Sequence, residues 1–124
     1  MIKLVFCLHR LPPLAEEEFR SYWRGHHAPL VASVAPALGI RRYVQLHPAD
    51  GAAASVLAGS RGSAREFDGV AELWFDSEEA LLDSTTTAEG RRAARALLDD
   101  EKRFIDLPRS PIWLYREHEV VPEP

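Results

Sequence analysis

Residues 2–10, Ile-Lys-Leu-Val-Phe-Cys-Leu-His-Arg, are the strongest constraint on the fold. They are rich in β-formers, and Pro12-Pro13 ends the run. Side chains on a strand alternate between faces. Ile2, Leu4 and Phe6 fall on one face, and Lys3, Val5 and Cys7 on the other, so neither face is polar throughout. A strand of this kind has to be covered on both sides. The same holds further on, with Trp74-Phe75 in one strand and Trp113, Leu114 and Tyr115 in another.

Glu16, Glu17 and Glu18 mark a first helical turn, where the helix dipole favours negative charge. Phe19, Trp23, His26 and Leu30 then share one face. Pro29 has no N–H to donate, so a kink or restart is expected near His27-Ala28, with Pro36 and Gly39 closing the element. Residues 40–47 and 68–76 read as the second and third strands. Ser77-Glu78-Glu79 starts a short helix, a longer amphipathic helix spans 88–105, and 112–120 is the last strand. Residues 48–66, rich in Ala, Gly and Ser, read as a flexible loop, either a lid or a plain insertion.

The 124 residues therefore form a single domain, 1–124, of the α+β class. The order β-α-β-β-α-β is ferredoxin-like, a four-stranded antiparallel sheet with helices on one face. The uncovered apolar face calls for a partner, and a homodimer packed sheet to sheet is the simplest arrangement.

Net charge is −4 and no basic stripe appears, so nucleic acid is not an expected partner. No segment approaches the roughly 18 apolar residues of a membrane span, and no signal peptide is visible. The single cysteine, Cys7, allows no disulfide within the chain and fits a cytoplasmic protein. Cys7 reads as a small strand residue rather than a nucleophile. Five histidines are present, but none lies at i+4 from His26 or His27, and there is no Cys/His cluster. Neither a metal nor a cofactor is expected.

Four stretches point to a family. They are Phe-Arg-Ser-Tyr-Trp-Arg-Gly-His-His-Ala-Pro-Leu-Val (19–31), Arg-Arg-Tyr-Val-Gln-Leu-His (41–47), Phe-Asp-Gly-Val-Ala-Glu-Leu-Trp-Phe-Asp-Ser (67–77) and Asp-Glu-Lys-Arg-Phe-Ile-Asp (100–106). In this order and spacing the chain resembles the EthD family, within the dimeric α+β barrel superfamily. The resemblance implies a dimer whose sheets form a barrel, with a pocket between sheet and helices in each subunit. Some fungal members are tailoring enzymes on aromatic polyketides, including dehydratases. Cofactor-free monooxygenases and lactone isomerases occur elsewhere in the superfamily. The resemblance therefore does not fix the reaction.

His27 occupies the position of the family's recurring histidine and is the first candidate for catalysis. It can give or take a proton near neutral pH. His26 is its rival, because the expected kink decides which ring turns inward. Tyr43, Gln45 and His47 share one strand face; Asp68, Glu72 and Trp74 share another. If both faces look toward the helices, they frame a pocket with Trp23. Tyr43 would then donate to a developing oxyanion, and Asp68 or Glu72 would orient His27. The alternative is that these groups face the dimer barrel. Arg10, ending the first strand, holds either an anionic substrate or a solvent-facing position.

Three functions follow. The first is a cofactor-independent enzyme using histidine acid–base chemistry on a hydrophobic, aromatic or polyketide-like molecule, by dehydration, isomerisation or cyclisation. The second is a cofactor-free monooxygenase. The third is a non-catalytic ligand-binding or accessory protein of a degradation pathway.

Overall fold

A computed structural model describes all of residues 1–124. The elements run β1 (Ile2–Leu8), α1 (Glu16–Tyr22), a π-helical segment (Trp23–His27), α2 (Ala28–Leu38), β2 (Arg42–Leu46), α3 (Ala52–Arg61), β3 (Gly69–Phe75), α4 (Glu78–Ser84), α5 (Ala88–Glu101) and β4 (Ile112–Tyr115). The strands form one antiparallel sheet in the order β2-β3-β1-β4, the ferredoxin-like arrangement.

The cross-strand register fixes the two faces. Leu4 pairs with Leu73 and Leu114, Phe6 with Ala71 and Ile112, and Tyr43 with Leu73. Paired residues share a face. Phe6, Leu8 and Ala71 pack against Phe19, Trp23, Phe104 and Ile105 to form the core. Phe19 and Phe104 are fully buried. Each such aromatic contributes roughly 2–3 kcal/mol of apolar burial. Past β1, Leu11 N–H donates to the Phe104 carbonyl and Asp106 N–H to that of His9. These bonds pin the end of α5 to the end of β1.

The opposite face is largely open. Trp113 and Tyr115 are exposed there. Lys3 and Glu72 pair at 2.8 Å. Lys3 and Arg42 lie over the Trp74 ring from either side, at 4.7 and 4.6 Å from its centroid.

The α-helix restarts at Ala28, as expected, after a π-helical turn over Trp23–His27 in which Ala28 N–H bonds the Trp23 carbonyl five residues back. Pro29 cannot serve the Gly25 carbonyl, and the wider turn accommodates that gap upstream of the ring. Three expectations are corrected. Pro36 lies inside α2 rather than closing it; Gly39, at φ 72°, is the terminator. Residues 52–61, expected as loop, form α3, a helix with no buried residue, ended by Gly62 at φ 61°. Alanine's helix propensity outweighs the missing apolar periodicity there. Regular strand β4 stops at Tyr115 rather than residue 120.

Gly69 shows how tightly the core is built. A Cβ there would collide with Cζ3 and Cη2 of Trp23. Gly69→Ala is expected to destabilise the fold by about 2–3 kcal/mol, seen as a lower urea midpoint at unchanged slope.

Candidate functional site

The π-helical segment settles which histidine turns inward. His27 is buried, at 5% exposure. The His26 side chain is mostly exposed and stacks on Tyr22 at 4.6 Å. An extra residue per turn rotates everything downstream, so ordinary helix counting misplaced the pair.

His27 is held by a residue that parity along the strands did not suggest. Its Nδ1 lies 2.7 Å from Oδ2 of Asp100, at the end of α5. Tyr22 Oη donates to Oδ1 of the same carboxylate at 2.5 Å, and His26 Nδ1 is 3.3 Å from it. Burial alone would raise the Asp100 pKa. Hydrogen bonds from Tyr22 and His27, with the nearness of His27 and His26, outweigh that and hold it below the usual carboxylate range. Burial pushes the His27 pKa down despite Asp100. The imidazole is thus neutral at pH 7, with Nδ1–H donated to Asp100 and Nε2 left as the basic nitrogen.

His27 lines a cavity of about 230 Å³ between the sheet and the helices. Of nineteen lining residues seventeen are hydrophobic, among them Trp23 and Tyr43. The other two are His27 and Glu101. No buried side-chain nitrogen or oxygen lacks a hydrogen-bond partner. Nε2 of His27 and the Glu101 carboxyl have no hydrogen-bond partner in the chain, and both residues line the cavity.

Tyr43 is oriented by a short chain of side chains. Gln45 Nε2 donates to the Trp23 carbonyl at 2.9 Å and to Tyr43 Oη at 2.8 Å. His47 Nε2 lies 2.9 Å from Gln45 Oε1, and its ring packs on Trp23 at 4.5 Å. With Tyr43 Oη already accepting, its own proton is free for a ligand. Burial raises the Tyr43 pKa, which keeps it a neutral donor.

The other predicted residues lie elsewhere. Glu72 and Trp74 are on the open face, because the register puts Tyr43 opposite Leu73 and leaves even-numbered β3 residues pointing away. The Trp74 indole donates to Glu117, which follows β4. Asp68 does not reach His27. It binds Arg10, with Nη1 to Oδ1 at 2.5 Å and the Arg10 backbone N–H to Oδ2 at 2.8 Å. That pairing also occupies Arg10. Cys7 is on the open face, where burial raises its thiol pKa.

No motif or strand face points to Glu101, but its helical spacing marks it. It continues the stripe Ala94, Leu98, Glu101, Ile105, just as Asp100 continues Ala93, Leu97, Phe104. A carboxylate on an apolar helix stripe is a signal in itself. Burial first, and then the Asp100 charge, raises the Glu101 pKa to about 7. No group of three His, Cys, Asp or Glu side chains is arranged to hold a metal ion, and no helix is long and apolar enough to cross a membrane.

A carboxyl whose pKa is raised on folding stabilises the fold fully below its unfolded value, near 4.5. That contribution is lost as pH rises through about 7. Stability should therefore decline across this window by roughly 2 kcal/mol, allowing for partial solvent contact. Glu101→Gln should remove most of the decline, as measured by denaturant titrations at pH 5 and pH 8. His27, shifted down, acts in the other direction, its contribution being lost as pH falls through its folded value.

The EthD domain profile matches residues 11–108. No curated protein matches the chain. Among solved structures, an EthD family protein from Bacillus halodurans C-125 superposes with a TM-score of 0.65 at 18% identity, covering 95% of this chain and 99% of that one. A dimeric protein of unknown function and ferredoxin-like fold from Bacteroides fragilis gives 0.59 at 9% identity, over 94% and 95%. SnoaB, a cofactor-independent oxygenase from Streptomyces nogalater, gives 0.52 at 19%, over 98% and 95%. The profile match spans most of the chain and agrees with the fold, and the chain belongs to the EthD domain family.

Proposed function

We propose that the chain is a cofactor-independent enzyme acting on a small hydrophobic molecule by acid–base chemistry at His27. The observation that carries this reading is the neutral His27 ring, anchored through Nδ1 by Asp100 and lining a cavity whose other walls, Glu101 apart, are hydrophobic side chains. A base near neutral pH, fixed in one tautomer and shielded from bulk water, suits abstraction of a proton next to a carbonyl. Tyr43 is placed to donate to the oxyanion that forms. Trp23 supplies an apolar wall.

SnoaB, which shares the fold, is an oxygenase, so oxygen chemistry is the second reading. Turnover under strict anaerobiosis separates the two. His27→Ala, checked for folding by circular dichroism, is expected to lose 10²–10⁴ in kcat. A folded variant with full turnover would remove His27 from the mechanism and favour a binding protein.

The open sheet face is the proposed homodimer surface. It carries exposed Trp113 and Tyr115 beside the Lys3–Glu72 pair. Trp113→Glu places a charge at its centre and should shift the protein from dimer to monomer in sedimentation velocity, leaving the helical content unchanged.

A further inference from the structure

Glu101 stands out in the cavity. It has no ion pair and no hydrogen bond, while almost every other side chain around it is apolar. Its chain neighbour Asp100 is turned the other way and is fully engaged by Tyr22, His27 and His26. The charged or titratable groups around Glu101 are Asp100 on its own helix, His27 on the π-helical segment and Tyr43 on β2. β1, β3, β4, α2 and α4 supply only apolar walls to the cavity it lines, such as Leu4, Leu73, Ile112, Val31 and Leu81.

We propose that Glu101 is a second catalytic residue, the general acid that delivers a proton to the substrate after His27 has removed one elsewhere. This rests on the His27 reading above. The chemistry implied is loss of water from a β-hydroxy ketone. Nε2 of His27 takes the proton on the carbon beside the carbonyl. The electron pair of that C–H bond passes into the carbonyl as an enolate held by Tyr43, and returns as the new C=C bond. The C–O bond at the β-carbon breaks, and the departing oxygen takes the Glu101 proton to leave as water. His27 is left protonated against Asp100 and Glu101 ionised, and transfer of the proton from one to the other through that water restores both.

The cavity also sets the size and charge of the substrate. An apolar cavity of roughly 150 Å³ is enough for benzene, so about 230 Å³ suits a molecule of one or two rings. No cation lines the cavity, and an ionised ligand would meet Glu101 with nothing to balance it. The substrate class is therefore an uncharged one- or two-ring hydroxy ketone.

The raised Glu101 pKa, near 7, and the lowered His27 pKa predict a bell-shaped profile. Activity needs His27 deprotonated on the acid limb and Glu101 protonated on the alkaline limb.

Two probes separate this proposal from the reading on which it rests. Exchange of the acidic protons of 2-tetralone in D₂O, followed by NMR, reports His27 alone. Conversion of 3-hydroxy-1-tetralone to 1-naphthol and water, followed by fluorescence, needs both residues. His27→Asn should abolish both. Glu101→Gln, which keeps the shape of the side chain, should lower dehydration about 10²-fold or more, and far more than it lowers exchange, while flattening the alkaline limb. Failure of the wild type to exchange 2-tetralone would overturn the His27 reading and this proposal with it. If the wild type exchanges but Glu101→Gln dehydrates at the wild-type rate with the same alkaline limb, or if the wild type exchanges and does not dehydrate, Glu101 is not the acid and the His27 reading stands.

Discussion

The Asp100 carboxylate is buried at 5% exposure and still carries its charge. A lone carboxylate in that position would be unstable by several kcal/mol. It persists because three groups from a single stretch of chain converge on its two oxygens: Tyr22 from α1, and His26 and His27 from the π-helical segment. The convergence also ties the two halves of the helical layer together, since Asp100 lies at the far end of α5. Remove the carboxylate and Tyr22 and His27 lose their common anchor, on the side of the core built from Phe19 and Phe104. Adjacent residues on a regular α-helix point about 100° apart. Here both histidine Nδ1 atoms come within 3.3 Å of one carboxylate, in a segment whose backbone is not a regular α-helix.

Much of this was legible in the sequence. Four strands with large side chains on both faces, interleaved with two amphipathic helical stretches, lead to the ferredoxin-like sheet. His27 was identified by its place beside Ala28-Pro29. Asp100 as its anchor was not, because alternation along β3 drew attention to Asp68 and Glu72, and alternation names sets of residues without saying which way they face. Only the register, Tyr43 opposite Leu73, assigns directions. Asp68 is taken by Arg10, a pairing between residues 58 positions apart that no local pattern predicts. The α3 helix was missed for a different reason. It buries nothing, so it leaves no apolar period to read, and alanine content was the remaining signal.

The register divides the sheet into two chemically different sides. The helix-facing side is apolar apart from Tyr43 and Gln45, and it forms the floor of the cavity. The open side gathers Lys3, Arg42, Glu72 and Glu117 around Trp74, two positive and two negative charges. A flat apolar side would associate with any similar surface. In the proposed dimer, balanced charges around an aromatic centre would restrict which pairings of this face fit. Surface and cavity thus share four strands without competing for side chains.

Asp100 and Glu101 are consecutive, yet their environments drive them to opposite protonation states. The helix turns them roughly 100° apart. Asp100 meets a hydroxyl and imidazoles, whereas Glu101 lines a cavity walled largely by apolar side chains. The two are also linked, because the Asp100 charge is the second cause, after burial, of the raised Glu101 pKa. The negative charge that fixes the tautomer of His27 therefore also helps keep its neighbour protonated. A neutral base and a protonated acid in one site usually require two separately tuned environments. In this chain one buried carboxylate contributes to both, and it can do so only while Tyr22 and His27 hold it ionised.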